Sequence, residues 1–379
     1  MKKNIKKIGI LTFHNSYNCG SMLETYAMLQ MVKKFSDAQI INYSSKGQQE
    51  LYSVFQKNNS LKKIIKNLLI FPHFKRVMLN NKKYEEFKNN FFQLSDVVNE
   101  ERINDKNYYA VIAGSDQIWN VTIDDFNEVY LLGWVKNAKR IAYAPSFGAK
   151  NPMMYYKDKE YFIKMLKNFD SLSIREKNGQ YWIKNMININ VPILLDPTLL
   201  LDSSDYDKLI DKSFNPKHKY IFFYSPSFNR KICKYVYKIA KKYKLEVITW
   251  STKSYYIKLI KQFGFILPPY ESPSIYLNLI KNAELVITTS YHGTIFSTIY
   301  NKKFITVKNG GMYGDDDRVI TLLEQLNMME RLIPYEFDDS FDYLAPIDYS
   351  NYNKSIKALK EKSIKYLQKS LEYSYEKRK

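Results

Sequence analysis

Short apolar runs alternate with longer amphipathic stretches along most of the 379-residue chain. The runs have the length of buried strands, whereas the stretches between them repeat apolar residues at helical spacing. Strands are predicted within 7–13, 108–114, 140–148, 171–174, 219–225, 245–250, 284–290 and 303–309, and helices within 22–35, 175–186, 229–243, 273–283, 292–301 and 317–327. This alternation predicts an α/β fold with parallel, doubly wound sheets.

The predicted strands form two series that are separated by a polar stretch at 202–219. We therefore predict two Rossmann-like domains with an interdomain cleft, over 1–205 and 206–335, and the chain length also suggests about two domains. A basic helical insertion is predicted near 57–90 and a basic helical tail over 336–379. Because open α/β sheets bind ligands beyond the carboxyl ends of their strands, the loops that follow the strands are the candidate site.

The loop after the first strand is rich in small and amide residues. Such residues before a helix leave backbone N–H groups free to bind an anion, although Asn18 or Ser21 could instead cap the helix. The candidate binding residues in this loop are Asn15, Asn18, Gly20 and Ser21. Further along, Asp116 follows a Gly-Ser turn and either accepts a hydrogen bond from a sugar hydroxyl or stabilises an Asx turn.

The loop around His292 is the strongest candidate for catalysis. His292 lies between a predicted strand and a predicted helix, where a histidine can combine acid–base chemistry with anion binding at the helix N-terminus. Ser290, Gly293 and Thr294 flank it and belong to the same candidate site.

Two arginines could supply positive charge to the cleft. Arg175 follows a short strand and offers a planar guanidinium to a carboxylate or phosphate, or else forms a surface ion pair with Glu176. Arg318 could enter the cleft from the Gly-rich loop that precedes the last predicted helix of the second domain.

Two acidic patterns resemble metal sites but have simpler interpretations. Three aspartates at 315–317 precede a helix, and one of them would cap it. The pattern at 205–207 matches a DxD motif only weakly. We therefore expect neither a metal nor a cofactor. Trp119 and Tyr143 could stack on a sugar, although core packing is the simpler interpretation for both.

Lys and Arg outnumber Asp and Glu by 58 to 38, which gives a net charge of +20. Residues 57–90 hold nine basic and two acidic residues, and residues 354–379 hold nine basic and three acidic residues. Both segments space their apolar residues as a helix does, so their lysines either face solvent or contact an anionic membrane. Neither segment carries a recognisable nucleic-acid module, and we predict no nucleic-acid partner.

The N-terminal residues and the cysteines bear on the location of the protein. No apolar run approaches the ~18 residues of a membrane span, and the sequence MKKNIKKIGILTF lacks the long apolar core of a signal peptide. Cys19 and Cys233 cannot form a disulfide framework. We therefore predict a cytoplasmic protein whose basic helices allow peripheral contact with the inner face of the membrane.

Taken in order, the strand-end loops resemble those of the polysaccharide pyruvyl transferase family. The matching stretches are GILTFHNSYNCGSMLETYAML, VIAGSDQIWN, IAYAPSFG, SIREKNG, LLDPTLLL and NAELVITTSYHGTIFSTIYNKKFI, and they cover roughly residues 7–330. Each stretch is a weak signal by itself, whereas the ordered set is specific.

The resemblance implies a GT-B-like arrangement of two Rossmann-like domains. It also implies that a pyruvyl group passes from phosphoenolpyruvate to a saccharide or lipid-linked saccharide, forming a pyruvate ketal on a surface-polysaccharide precursor. His292 and Arg175 match positions that are associated with the donor site. Some relatives carry an arginine two residues before the histidine, where this chain has Ser290, and Arg318 or Lys308 could replace that cation.

Two other functions are compatible with the same sequence. A GT-B-type glycosyltransferase with a nucleotide-sugar donor would use the same cleft but a different donor. A non-enzymatic protein that binds polyanions would use the net charge of +20 and would not depend on His292.

Overall fold

The computed structural model describes residues 7–57, 59–226, 228–308, 317–334 and 336–372, and it contains two parallel five-stranded sheets. The first sheet has the order β3-β2-β1-β4-β5, with β1 Lys7–Leu11, β2 Ala38–Tyr43, β3 Leu94–Val98, β4 Tyr108–Ala113 and β5 Lys139–Ala142. The second has the order β10-β9-β8-β6-β7, with β6 Tyr220–Tyr224, β7 Glu246–Thr249, β8 Leu285–Thr288, β9 Phe304–Lys308 and β10 Leu332–Pro334. The predicted α/β fold with two Rossmann-like halves is confirmed.

Helices connect the strands and cover the sheets. In the N-terminal half they are α1 Cys19–Lys33, α2 Lys46–Tyr52, α3 Leu61–Ile70, α4 Phe74–Phe91, α5 Pro152–Tyr155, α6 Lys159–Lys167 and α7 Lys177–Ile187. They continue with α8 Ser203–Asp207, α9 Arg230–Tyr243, α10 Thr252–Ile257, α11 Pro273–Asn282, α12 Tyr291–Ile299, α13 Asp317–Gln325 and α14 Ser350–Leu371. Among the described residues, none of these helices combines the length and the hydropathy that crossing a membrane requires.

Strand order places the candidate loops together. The order of the first sheet reverses between β1 and β4, and that of the second reverses between β6 and β8. Loops on either side of such a reversal diverge and leave a crevice at the carboxyl ends of the strands. The crevices of both halves open into one cleft, as predicted, and the loops that follow β1, β4 and β8 meet there.

Helix α1 lies at the base of this cleft, between the two halves. Unlike a surface helix, it is buried on nearly every side, which fits its apolar sequence CGSMLETYAMLQMVK. Its residues share one hydrophobic core with residues of α11 and α12, such as Leu277 and Phe296. This shared core joins the two halves and fixes the N-terminus of α1 at the cleft.

The structure differs from the sequence prediction at several strands. The strands β2, β3 and β10 were not predicted, because β3 and β10 are short edge strands with partly exposed residues and β2 mixes amides with apolar residues. The predicted strand at 171–174 forms only isolated bridges, to Ile141 and Ile193. The hydroxyl of Ser173 donates to the Ala142 carbonyl and accepts from the Ala144 amide, so it occupies backbone groups that a continued strand would pair.

The two basic segments both cross between the halves. The insertion leaves the first sheet after β2, and its helices α3 and α4 pack against α10 and α11 of the second half. The C-terminal helix α14 runs the other way: the Tyr349 hydroxyl donates to the Lys302 carbonyl, and the Tyr366 hydroxyl donates to the Ala142 carbonyl. Each segment therefore adds a connection between the halves beyond the shared core.

Candidate active site

A cavity of about 380 Å³ lies in the cleft where the strand ends of the two halves face each other. The N-terminus of α1 and the loop after β4 form one wall, and the N-terminus of α12 forms the other. Residues that line it include Asn18, Ser21, Asp116, Asp125, Ser290 and His292. We call it the catalytic cavity, because six of the twelve predicted site residues line it, His292 among them.

Gly20 and His292 bring the two walls into contact. The imidazole of His292 lies so close to α1 that a Cβ atom on Gly20 would be 2.2 Å from its Nδ1 atom. Only a residue without a side chain allows this approach. Gly20 was predicted to bind an anion through its backbone, and the geometry gives it a second role in admitting the histidine.

Arg175 is the centre of a buried charge cluster behind this wall. One guanidinium nitrogen, Nη1, lies 2.7 Å from Oδ2 of Asp196 and 3.7 Å from Oε2 of Glu24, and Nη2 lies 3.7 Å from Oδ1 of Asp116. The guanidinium also lies 4.5 Å from the centre of the Tyr291 ring. Arg175 is only 2% exposed, so it orients carboxylates, and its assignment to donor binding stays a prediction.

The residue after Arg175 is also buried. The carboxyl group of Glu176 accepts hydrogen bonds from the Ser146 hydroxyl and the Phe147 amide, at 3.1 and 2.8 Å. Burial, opposed by Arg175, raises the pKa of Glu176 to about 7. A surface ion pair between Arg175 and Glu176, the alternative weighed from the sequence, is wrong.

His292 faces the same carboxylates from the other half. Its Nε2 atom lies 3.5 Å from Oδ2 of Asp196 and 3.7 Å from Oε2 of Glu24. Burial by itself would lower the pKa of His292, but Asp196, assisted by Glu24 and Asp116, outweighs burial and raises the pKa to about 9. The imidazole therefore carries a proton at neutral pH while about a tenth of its side chain remains exposed to the cavity.

The pKa values of two carboxyl groups in the cluster shift in opposite directions. Burial would raise the pKa of Asp196, but His292 and Arg175 hold it well below its usual range. Burial, reinforced by Asp116 and Asp196, raises the pKa of Glu24 well above its usual range. The cations Arg175 and His292 thus face three carboxyl groups, those of Glu24, Asp116 and Asp196, in one buried cluster.

Glu24, Asp196 and His292 could geometrically surround a metal ion, since their ligand atoms lie within 4.8 Å of one another. Metal binding requires a deprotonated imidazole and deprotonated carboxylates. The raised pKa values of Glu24 and His292 favour protons on both groups, and the guanidinium of Arg175 already contacts Asp196. The cluster is therefore better suited to hold protons than a metal ion.

A family comparison identifies the class of protein to which this site belongs. The family model for polysaccharide pyruvyl transferase matches residues 18–311, which is most of the chain and includes both walls of the cavity. The chain belongs to the polysaccharide pyruvyl transferase family. It is therefore a transferase, as the strand-end motifs indicated. A comparison of this chain with curated proteins found no match.

Several solved structures align with most of this chain at low sequence identity. UDP-GlcNAc 2-epimerase from Neisseria meningitidis is 11% identical, with a TM-score of 0.48 over 96% of this chain and 100% of that chain. The MnaA–UDP structure from S. aureus is 10% identical, with a TM-score of 0.49 over 97% and 91%. The heptosyltransferase WaaC from E. coli is 10% identical, with a TM-score of 0.40 over 85% and 99%.

Several residues predicted for the pyruvyl transferase site line the catalytic cavity. Asn18 and Ser290 also cap α1 and α12, by accepting from the amides of Gly20 and Gly293. The Ser21 hydroxyl donates to Oδ2 of Asp116 at 2.5 Å, which connects the first two loops. Arg318 is buried in the cavity wall beside the Tyr291 ring, at 6.0 Å from its centre.

Other predicted residues lie away from the catalytic cavity. The Asn15 side chain accepts from Lys88, and Lys308 is exposed at the end of β9. Thr294 is fully buried and its hydroxyl donates to the Ser290 carbonyl. Gly293 faces its own sheet, where a Cβ atom would be 2.2 Å from the Thr288 hydroxyl oxygen. Their assignment to substrate binding stays a prediction. In the structure, these residues take part in packing and in hydrogen bonds within the protein.

The remaining patterns from the sequence have structural partners. Trp119 and Tyr143 are fully buried in the core. Asp205 completes the capping box of α8, so the DxD pattern serves a helix end. Asp317 begins α13 and its carboxylate accepts from the Asn178 amide, whereas positions 315 and 316 lie outside the described residues.

Three acidic residues of the site were missed from the sequence. Glu24 lies in helix α1, and Asp196 follows the apolar stretch VPILL, so each is a lone charge among buried apolar residues. That contrast is the signal that could have found them, because a charge is rarely buried without a partner. Asp125 lines the cavity, and burial, reinforced by Asp116, raises its pKa to about 6. Its own loop carries no comparable signal.

Proposed function

We propose that this protein transfers a pyruvyl group from phosphoenolpyruvate to a sugar of a surface-polysaccharide precursor and forms a pyruvate ketal. Membership of the pyruvyl transferase family supports the reaction class. The observation that carries the proposal is the place of His292 in the wall of the cleft, 3.5 Å from Asp196 and 3.7 Å from Glu24, where these carboxyl groups raise its pKa and favour a proton on the imidazole. Ketal formation from an enol phosphate needs such an acid to deliver a proton to carbon.

The second part of the proposal is the identity of the donor, phosphoenolpyruvate. Phosphoenolpyruvate carries a carboxylate and a phosphate, and both favour cations and the positive end of a helix. His292 and Arg318 line the cavity at the N-terminus of α12. The cavity therefore offers the donor two basic side chains and the positive end of a helix. Ser290 replaces an arginine found in some relatives, and we assign the missing positive charge to Arg318.

The first chemical step uses the proton of His292. The imidazolium gives its proton to the methylene carbon of the enol, which becomes a methyl group and leaves carbon 2 electrophilic. A sugar hydroxyl then attacks carbon 2 and forms a C–O bond while it loses its proton to a base. We assign that base to Asp125, because it lines the cavity and its raised pKa of about 6 lies near the pH at which it would act.

The second step closes the ketal. The bond between carbon 2 and the phosphate oxygen breaks, and phosphate leaves. A second hydroxyl of the same sugar attacks carbon 2 and returns a proton to His292. The proton held by Asp125 leaves with the phosphate. One proton enters the methyl group and one leaves with phosphate, which balances the two protons lost by the sugar.

The pH dependence of turnover tests these roles. Since Asp125 must be deprotonated and His292 protonated, kcat/KM should fall below a pH of about 6 and above a pH of about 9. The variant Asp196→Asn should move the alkaline limb to lower pH, because Asp196 raises the pKa of His292. His292→Ala should lower kcat by about 10²–10⁴-fold. His218→Ala, which alters an exposed histidine, is the matched control.

Donor identity has a separate test. Thermal-shift measurements should show stabilisation by phosphoenolpyruvate and none by nucleotide-sugars. The opposite result would replace the pyruvyl donor by a nucleotide-sugar and make the protein a glycosyltransferase. Mass spectrometry of the surface glycan, with and without the gene product, should show a pyruvate-sized difference. A glycan of unchanged mass would contradict the proposal.

We further propose that the protein works in the cytoplasm at the inner face of the membrane, on a lipid-linked acceptor. Helix α3 supports this location. Its residues Leu61 and Leu68 are 74% and 67% exposed, and Lys62 lies beside them. Exposed apolar residues with neighbouring lysines suit the apolar and anionic layers of a membrane surface.

A further inference from the structure

A second cavity, of about 400 Å³, lies next to the catalytic cavity. Its floor is the carboxyl end of β6 and β7, and its cover is α2 together with the helices α3 and α4 of the basic insertion. The two cavities share the wall residues Asn18, Leu51, Tyr52 and Pro226. The two cavities therefore adjoin each other at Tyr52.

Buried hydrogen bonds fix the cover to the second half. The Asn80 side chain of α4 donates to the Thr252 hydroxyl at 2.9 Å and accepts from the Glu271 amide at 2.9 Å. The Glu271 carboxylate in turn accepts from the Thr252 hydroxyl at 2.6 Å. These three residues are 4%, 1% and 7% exposed, so the second cavity is a built feature and not a loose gap between surfaces.

The walls combine aromatic rings with amide side chains. Tyr17 and Tyr84 stack with a centroid distance of 5.4 Å, and Tyr52 lies 5.8 Å from Tyr17. Other wall residues include Tyr224, Trp250, Gln56, Asn67 and Asn81. Aromatic faces pack against the C–H faces of a sugar ring, and amides both donate to and accept from hydroxyl groups. Lys66, Lys253 and Glu271 also line the cavity and add charged hydrogen-bonding groups, so the lining suits hydroxyl-rich sugar units.

We propose that the second cavity binds the sugar units of the acceptor that adjoin the reacting sugar, so that the acceptor is an oligosaccharide and not a single sugar. The inference rests on the proposed function for the reacting end of the acceptor. It adds that the insertion completes a subsite for the following units. In this proposal the acceptor passes Tyr52, so that its reacting sugar lies in the catalytic cavity and the following units lie in the second cavity.

Binding measurements on sized glycan fragments test this subsite without requiring turnover. The probes are fragments of the producing cell's surface polysaccharide, freed of pyruvate by mild acid and separated into one to four sugar units. In calorimetric titration of the full chain, affinity should rise at least tenfold from one to three units. An affinity that is independent of length would overturn the proposal.

A variant that fills the second cavity sharpens the measurement. Asn81→Trp places a bulky ring in the cavity from the half-buried face of α4, whereas Asn90→Trp places the same ring on its exposed face. Asn81→Trp should remove the gain in affinity with length and leave binding of the single sugar unchanged. Asn90→Trp should bind as the unaltered protein does, and an equal loss in both variants would contradict the assignment.

The two proposals fail in different ways. If phosphoenolpyruvate releases no phosphate with any fragment, but affinity still rises with length and Asn81→Trp removes the rise, then the donor is wrong and the subsite stands. If phosphate is released equally with one and with three units, at equal KM, then pyruvyl transfer stands and the subsite is wrong.

Discussion

The insertion helix α3 and the C-terminal helix α14 are alike in sequence but differ in what covers their apolar residues. Both are rich in lysine and repeat leucine and isoleucine at helical spacing. In α14, Leu367 is fully buried and Ile356 is 8% exposed, whereas in α3 Leu61 and Leu68 are 74% and 67% exposed. Similar charge and periodicity thus produce a connection between the halves in one place and an exposed apolar face in the other.

The cause of this difference is the surface that each helix meets. Helix α14 packs against the segment Pro197–Leu200 and extends to both halves, so its apolar side closes the shared core. Helix α3 packs against α10 on one side only, and there it contributes Lys66, Asn67 and Ile70 to the second cavity. Its opposite side is left to solvent or to a membrane.

The largest expected effect is on stability. Leu367→Ala should lower the free energy of unfolding by about 2–5 kcal/mol, because it leaves a cavity in the shared core. Leu68→Ala should change it by less than about 0.5 kcal/mol, because the side chain is largely exposed. Urea denaturation followed by circular dichroism measures both values. Equal losses would mean that the face of α3 is packed in solution and that the contrast does not hold.

The next effect is on membrane binding. The double variant Leu61→Gln and Leu68→Gln should lower affinity for phosphatidylglycerol vesicles by about a hundredfold or more, since each buried leucine contributes about 1.5–3 kcal/mol. Vesicle co-sedimentation measures it. Met154→Gln, which changes another side chain with 74% exposure, is the matched control and should bind normally. If the double variant binds vesicles as well as the unaltered protein does, the proposed membrane contact through α3 is wrong.

The smallest effect comes from charge. Lys62→Glu should weaken vesicle binding by roughly thirtyfold, since a lysine at an anionic surface contributes about 1 kcal/mol and the reversal changes the charge by two units. The helix should persist, because an acidic residue is favourable in its first turn. The same reversal in α14, Lys357→Glu, should have no effect. The difference between the variants should shrink at high salt, and a loss in both would point to non-specific attraction by the net charge.

These tests replace deletion of the whole insertion. Deletion of residues 57–90 would be the direct way to ask whether the basic insertion contacts the membrane. In the structure the insertion also forms the cover of the second cavity and bonds to Thr252 and Glu271. A deletion would therefore open that cavity and disturb the second half, whereas changes on the exposed face of α3 leave both intact.

The sequence was sufficient for the fold class and for six residues of the cavity wall. Buried parallel strands appear in the sequence as apolar runs, and this pattern predicted β1, β4, β6, β8 and β9. Asp116, His292 and Arg318 follow β4, β8 and β9 along the chain and line the cavity. Edge strands such as β3 were missed because half-exposed residues carry little periodic signal. The segment at 171–174 was predicted as a strand, but it forms only isolated bridges to Ile141 and Ile193.

The charge cluster shows what sequence alone did not reveal. Glu24, Arg175, Asp196 and His292 come from separate parts of the chain and meet because α1, the loop at 196 and α12 converge behind the cleft. The sequence indicated that His292 and Arg175 carry chemistry. It did not indicate that carboxylates surround both of them.

The sequence by itself determined an α/β chain with two series of strands, the loops that carry polar residues, and the segments that hold most of the +20 charge. These properties follow from local periodicity and composition. The tertiary structure alone decided which apolar helix faces are covered and which carboxylates face His292. It also decided that the insertion covers a second cavity. Burial and pKa depend on neighbours that are distant in the chain, and no local pattern records them.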